Sequence, residues 1–239
     1  MNFLRYLPYY ILSLLPMRAL HIISEAAAFI IFHVVRYRRG VVAENLRRSF
    51  PEKEEKEIYN ISRRFYLHFC DMWIETDKVL TIGRRNMLKR VVVTNPELVN
   101  SYFEKGKSVI LYAGHLGNWE WLLALPLSLR HRVTAFYLPL SNRYFDGYIR
   151  LVRERFGVMT IPSERGYRVL GELSRKGELT ATIVIGDQSP APMPNLFFTG
   201  FLNRPTAFLE GAERMAAKLH HAVVFPLIVP VSRGHFSIT

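Results

Sequence analysis

The chain has 239 residues and a formal charge of +12, from 32 Lys and Arg against 20 Asp and Glu. At 49% hydrophobic residues it can bury a sizeable core, which excludes a disordered chain, and its single cysteine, Cys70, excludes a disulfide framework and a cysteine-based zinc site. A positive balance of this size indicates nucleic acid, an anionic membrane surface or an acidic partner.

The excess sits in two places. Residues 1–50 hold seven Arg and two Glu, net +5, and residues 121–180 hold ten basic and five acidic residues, also net +5. There is no Lys-rich tail and no basic run interleaved with aromatics, so nucleic acid is not the indicated partner.

Residues 6–35 are mostly apolar but are interrupted by Pro8, Pro16, Arg18, His21 and Glu25. A bilayer crossing needs about 20 consecutive apolar residues. Two readings stand side by side: one tilted span over residues 19–35, or a helical hairpin or interfacial anchor in the headgroup layer. Arg36, Arg38, Arg39, Arg47 and Arg48 follow at once, which marks the cytoplasmic, anionic-lipid side. No small-residue cleavage site precedes them, which argues against a cleaved signal peptide.

Pro51 and the acidic run Glu52–Glu57 open a helix, with negative charge at its positive end. Ile58, Ile61, Phe65, Phe69, Met72 and Trp73 recur at helical spacing, predicting a helix to about Leu80 that contains His68 and Cys70 as ordinary residues. From residue 90 strands and helices alternate. Strands are predicted at 91–94, 108–113, 133–138, 158–161, 179–186 and 222–231. Helices are predicted from Asn95-Pro96, at 119–129, 142–156, 167–176 and 205–219. This is an α/β layout, a mixed, largely parallel sheet flanked by helices. Ser232-Arg233-Gly234 reads as a hairpin turn. The returning strand, 235–239, is short, so the domain is expected to be C-terminally incomplete.

The chemistry concentrates in Gly114-His115-Leu116-Gly117-Asn118-Trp119-Glu120, between a buried strand and a helix. Sites in open α/β sheets form beyond the carboxyl ends of the strands. On one continuous helix, residues five apart differ in direction by about 140°. His115 and Glu120 can therefore meet only if His115 lies in the turn and Glu120 in the first helical turn, which Gly114 and Gly117 permit. The spacing does not suit a zinc site, where helical ligands fall three or four apart. It suits general-base catalysis, with an imidazole taking a proton from a hydroxyl and a carboxylate orienting it. The motif holds no Ser or Cys nucleophile, so the attacking group is the substrate's own hydroxyl. The helix N-terminus could hold an oxyanion. No metal or other cofactor is called for. Arg143, Arg150, Arg153 and Arg155 form either a solvated face or a dock for a lipid phosphate or an acidic carrier protein. Asp146 could pair with Arg150. Asp187 ends a wholly uncharged strand and is either a turn residue or a functional group at the sheet edge.

GHLGNWEW resembles the H-x4-E motif of the bacterial lipid A lauroyl/myristoyl acyltransferases. YRRGVVAENLRRSFP (37–51) resembles the segment after that family's membrane helix, and NRYFDGYIRLVRERFG (142–157) its Arg-containing helix. Gly186-Asp187-Gln188-Ser189-Pro190 is similar to its Asp-Gln strand end, and Phe197-Phe198 with Thr206 to its FFG…T segment. The resemblance runs through residues 1–239 in order. It implies a glycerolipid-acyltransferase-like fold: a membrane anchor over 1–40, a helical linker packing on the domain over 41–89, and an acyltransferase domain over 90–239. It implies transfer of a fatty acyl group from acyl–acyl-carrier protein, or acyl-CoA, to a hydroxyl of a lipid A precursor in lipopolysaccharide biosynthesis. The place would be the cytoplasmic side of the bacterial inner membrane, in contact with membrane lipid. His115 matches the family's catalytic base and Glu120 its partner. Gly117 and Asn118 match the motif interior, Arg153 or Arg155 the anion-binding arginine, and Asp187 the strand-end carboxylate. Related glycerolipid acyltransferases carry Asp in place of Glu120, so the Glu favours the lipid A branch. The alternatives are an enzyme of the same fold acting on a lysophospholipid or another glycolipid, and an inactive membrane-bound scaffold.

Overall fold

The computed structural model describes residues 2–188, 190 and 196–239. In chain order the first helices are α1 (Asn2–Arg5), α2 (Leu7–Leu14), α3 (Met17–Phe29), α4 (Arg39–Ser49) and α5 (Glu55–Lys78). Then follow α6 (Arg84–Arg90), β1 (Val91–Val93), α7 (Pro96–Glu104), β2 (Val109–Ala113), β3 (Arg132–Tyr137), α8 (Arg143–Arg153), β4 (Met159–Pro162), α9 (Gly166–Arg175) and β5 (Thr180–Ile185). The last elements are β6 (Phe197–Phe201), β7 (Arg204–Phe208), α10 (Gly211–Leu219), β8 (Ala222–Val224), β9 (Ile228–Ser232) and β10 (His235–Ile238). They form two compact units, Met1–Thr81 with Asn195–Ala207, and Ile82–Pro194 with Phe208–Thr239.

In the first unit α3 continues without a break into a π-helical turn, Ile30–Val35, which closes on Arg36 in the left-handed region. Proline at the second position starts α2, and Pro16 separates α2 from α3. The acidic start of α5 forms a capping box between Glu54 and Glu57, which satisfies N–H groups that the first helical turn leaves without acceptors. Helix α5 packs against α3 through a polar seam. Ser24 donates to Asp71 at 2.5 Å, and His21 Nε2 lies 3.2 Å from Glu75 Oε1. Strands β6 and β7 form a hairpin whose turn residues, Leu202 and Asn203, both have positive φ, a conformation Asn tolerates well. Asn203 Nδ2 donates to the Ser49 carbonyl at the end of α4.

The second unit is built on a five-stranded sheet in the order β4-β3-β5-β2-β8, every neighbouring pair parallel. Its central strands are mostly apolar and buried, as parallel strands under helices are, and the buried Thr134 of β3 donates to Thr182 of β5. Ile110 and Ile161 of the sheet pack with Leu170 and Leu173 of α9 and Met215 and Ala216 of α10. The expected α/β fold with a largely parallel sheet is therefore present. A second sheet has the order β1-β10-β9, with β10 parallel to β1 and antiparallel to β9.

Three expected elements differ. The helix expected at 205–219 begins only at Gly211, because residues 204–208 return along β6 as a hairpin strand. The strand expected at 222–231 is two strands in different sheets, β8 and β9, with Pro226 between them. Proline has no N–H for a ladder, so the sheet pairing ends there. The helix expected at 119–129 is a 3₁₀ helix, Trp119–Leu127, with Pro126 inside. Pro96 does open α7, but the Asn95 side chain makes no capping bond.

Two histidines carry a pH consequence. His131 is buried, with Nε2 3.0 Å from the Lys107 carbonyl and Nδ1 without a partner. Burial pushes its pKa down, against the opposing effect of that carbonyl, and burial does the same to His221. Both groups bind protons more readily in the unfolded chain. Stability is thus complete above the ordinary histidine value of about 6.5 and is lost as pH falls below it toward the folded-state values. Thermal melts from about pH 7.5 to about pH 5 should show a falling Tm, and His221→Gln should flatten the slope.

Candidate active site

The register of the parallel sheet places the site. Ala113 of β2 faces Ile185 of β5, and Gly186 N–H donates to the Ala113 carbonyl at 3.0 Å. Two residues beyond each strand stand His115 and Asp187, so neighbouring strand ends deliver them side by side. Asp187 grips His115 twice. Oδ2 accepts from the His115 backbone N–H at 2.8 Å, and Oδ1 lies 2.6 Å from Nδ1. A carboxylate only accepts, so Nδ1 carries the proton and Nε2 is left as the basic nitrogen. The imidazole keeps 28% of its side-chain surface exposed, enough for a substrate hydroxyl to reach it. Trp119 stands edge-on to the ring with centroids 4.5 Å apart, limiting its tilt.

Glycines make this approach. A Cβ on Gly114 would lie 3.1 Å from Asp187 Oδ2, crowding the carboxylate that holds the His115 backbone. Gly117 has φ +55, and a Cβ there would sit 3.3 Å from the Ile228 carbonyl. Gly117→Ala is expected to cost about 1–2 kcal/mol of stability from strain in the left-handed region. Chemical denaturation of the purified variant measures it.

Glu120 lies in the first turn of the 3₁₀ helix, only 13% exposed, and its carboxylate is engaged by Arg153 of α8. Arg153 Nε donates to Oε2 at 2.9 Å and its terminal nitrogen to Oε1, a bidentate pair. Burial would lower the Arg153 pKa, but the hydrogen bond and charge of Glu120 outweigh it and raise the pKa.

The pairing thus departs from the expected one. His115 sits in the turn and Glu120 in the first helical turn, as the spacing requires, yet the carboxylate on the imidazole is Asp187 and the cation on Glu120 is Arg153. Asn118 is fully buried behind the turn. Arg155 lies on the 3₁₀ turn after α8, exposed, with its guanidinium over Phe156. Arg150 pairs with Glu154, and Asp146 accepts from the Leu140 N–H, so the pairing of Asp146 with Arg150 does not form. Ser189, next to Asp187-Gln188, lies outside the described residues. The residue that sequence reasoning passed over is Tyr112, whose hydroxyl donates to the Gly186 carbonyl at 3.1 Å and so steadies the strand end before Asp187. Its pKa is raised by burial and by the Asp187 charge. The one sequence signal was its position three residues before His115 on an otherwise aliphatic strand.

A basic imidazole nitrogen beside a carboxylate, at the carboxyl edge of a parallel sheet, can take a proton from an alcohol. The family model for bacterial lipid A biosynthesis acyltransferases matches residues 2–236, which includes every one of these groups. The chain belongs to this family. Among curated relatives, a lipid A biosynthesis acyltransferase of Haemophilus influenzae is 22% identical over 221 residues, covering 91% of this chain and 67% of that protein. The histidine and both carboxylates lie within the family match and fall in one unit, positioned by β2, β5 and α8.

Proposed function

We propose that the chain is a membrane-associated O-acyltransferase. It moves a fatty acyl group from acyl–acyl-carrier protein, or acyl-CoA, to a hydroxyl of a lipid A precursor on the cytoplasmic side of the inner membrane. The observation that carries the chemistry is the His115–Asp187 pair. His115 Nε2 removes the proton from the acceptor hydroxyl as its oxygen attacks the thioester carbonyl carbon. The C=O electron pair moves onto oxygen, and Asp187 stabilises the imidazolium that forms. The first N–H groups of the Trp119–Leu127 helix, which have no intrahelical acceptor, suit the oxyanion. Collapse of the intermediate breaks the C–S bond, and His115 returns the proton to the leaving thiolate. The ester and the free thiol are the products.

Arg153 and Glu120 act as a clasp between α8 and the helix after His115, so the geometry supports Glu120 as a positioning residue. Gly117 and Asn118 shape the turn. Arg155, exposed on the 3₁₀ turn after α8, contacts an anionic group of the carrier or the lipid in this reading. Purified chain, labelled acyl–acyl-carrier protein and a lipid A precursor in mixed micelles provide the test. The expected product is the precursor carrying one more ester-linked acyl chain, identified by mass spectrometry. Transfer only to a lysophospholipid would overturn the acceptor, and transfer only from acyl-CoA would overturn the carrier protein as donor.

A further inference from the structure

The membrane association proposed above depends on how the N-terminal helix meets lipid. Met17–Val35 has 19 residues and a mean hydropathy of 1.5. At about 1.5 Å per residue it is about 28 Å long, close to the hydrocarbon thickness. Length alone would let it cross, but three observations oppose a crossing.

Glu25 is exposed at the ninth of the 19 positions, where a crossing helix would hold a carboxylate near the bilayer midplane, the costliest depth for a charge. Second, α5 covers α3 along its length: Glu75 and Asp71 meet His21 and Ser24, and Tyr66 and Tyr59 meet Phe32. It would have to cross as well, carrying exposed His68 and buried Asp71, Glu75 and Asp77.

The third observation is the path of the chain. At the end of α5, Lys78 and Thr81 donate to the Ser13 carbonyl in the last turn of α2, just before α3 begins. At the other end of α3 comes α4, and its Ser49 carbonyl accepts from Asn203 of the β6–β7 hairpin. A crossing would leave residue 82 and Asn203 on opposite sides of the bilayer. The chain between them would have to cross again, and no other described helix is long and apolar enough.

Helical geometry supplies the alternative. Ile22, Ile23, Ala26, Phe29 and Ile30 fall within an arc of about 120° and are all exposed. Met17, Leu20, Ser24, Ala28 and Phe32 are buried on the opposite side. Arg18 and Glu25 border the arc on one edge, and exposed Arg36 and Arg38 follow the helix. We propose that α3 lies in the plane of a single leaflet as a monotopic anchor. Its apolar arc enters the acyl-chain layer, and Arg18, Arg36 and Arg38 sit among anionic headgroups.

The test uses the full chain with Cys70→Ala, bound to vesicles of phosphatidylethanolamine and phosphatidylglycerol. Spin labels at Ile22→Cys, Ala26→Cys, Ile30→Cys and Val34→Cys report depth. An in-plane helix puts all four at a common depth, and Arg18→Cys and Arg36→Cys both react with an impermeant maleimide added outside. The pair Ile22→Glu and Phe29→Glu, with helicity unchanged, should weaken vesicle partitioning about tenfold or more. A depth profile that peaks near residue 26, with residues 18 and 36 reactive from opposite sides, would overturn the anchor and leave membrane association standing. Absence of vesicle binding would overturn both. Unchanged partitioning of the double Glu variant, or a soluble dimer held by the arc, would overturn the arc as the lipid contact.

Discussion

His115→Ala is expected to lower kcat for acyl transfer by about a thousandfold or more, with KM for the lipid acceptor little changed. Only the proton acceptor is lost, and binding surfaces remain. Asp187→Asn is expected to fall by a similar factor, about a thousandfold, although the side chain keeps its size. An asparagine can place its N–H₂ against Nδ1, which then accepts, and the proton moves to Nε2. The imidazole is left facing the substrate with a donor where it needs an acceptor. Nitrogen chemical shifts of the labelled histidine would report this change of tautomer directly. Glu120→Gln separates the two carboxylates: it leaves the His115 tautomer as in the parent, because its bonds go to Arg153. A tautomer change in Glu120→Gln and none in Asp187→Asn would reverse the assignment.

Arg153→Met is expected to destabilise the second unit by about 3 kcal/mol, read from the urea midpoint. The reason is what remains, a carboxylate at Glu120 with 13% of its side chain exposed and its bidentate partner gone. Removing both partners, with Arg153→Met and Glu120→Gln, should recover more than half of that loss, because no charge is then stranded. The same pair should show its catalytic effect indirectly. The clasp fixes the helix that begins four residues after His115, so its loss lowers kcat through misplacement of the turn. Lys at position 153, which keeps charge but not the planar fork, should restore stability only in part.

Much of this molecule was legible in the chain. The strands 109–113 and 180–185 read as buried because they carry no charge and are rich in aliphatic and β-branched residues, as strands of a parallel sheet covered on both faces are. Gly114 and Gly117 around His115 read as a turn because glycine adopts backbone conformations that other residues rarely reach, and Gly117 does have a positive φ. Two of the misread stretches were decided by strand pairing, which local pattern does not show: residues 204–208 pair with the neighbouring β6, and residues 222–231 divide between β2 and β10.

The basic charge was located by counting, in the Arg cluster after residue 35 and in the region of α8. What counting could not give was partners. Of the α8 arginines, Arg153 is taken by Glu120 and Arg150 by Glu154, so the second patch is partly neutralised in place. By itself the sequence determined the α/β class, the turn that holds the histidine and the presence of a carboxylate within reach. Only the tertiary structure decided which carboxylate. Asp187 is 72 residues from His115 along the chain, and the two meet because β2 and β5 lie side by side in register. Spacing describes residues on one element, and strand order in a sheet is fixed by packing across the whole unit.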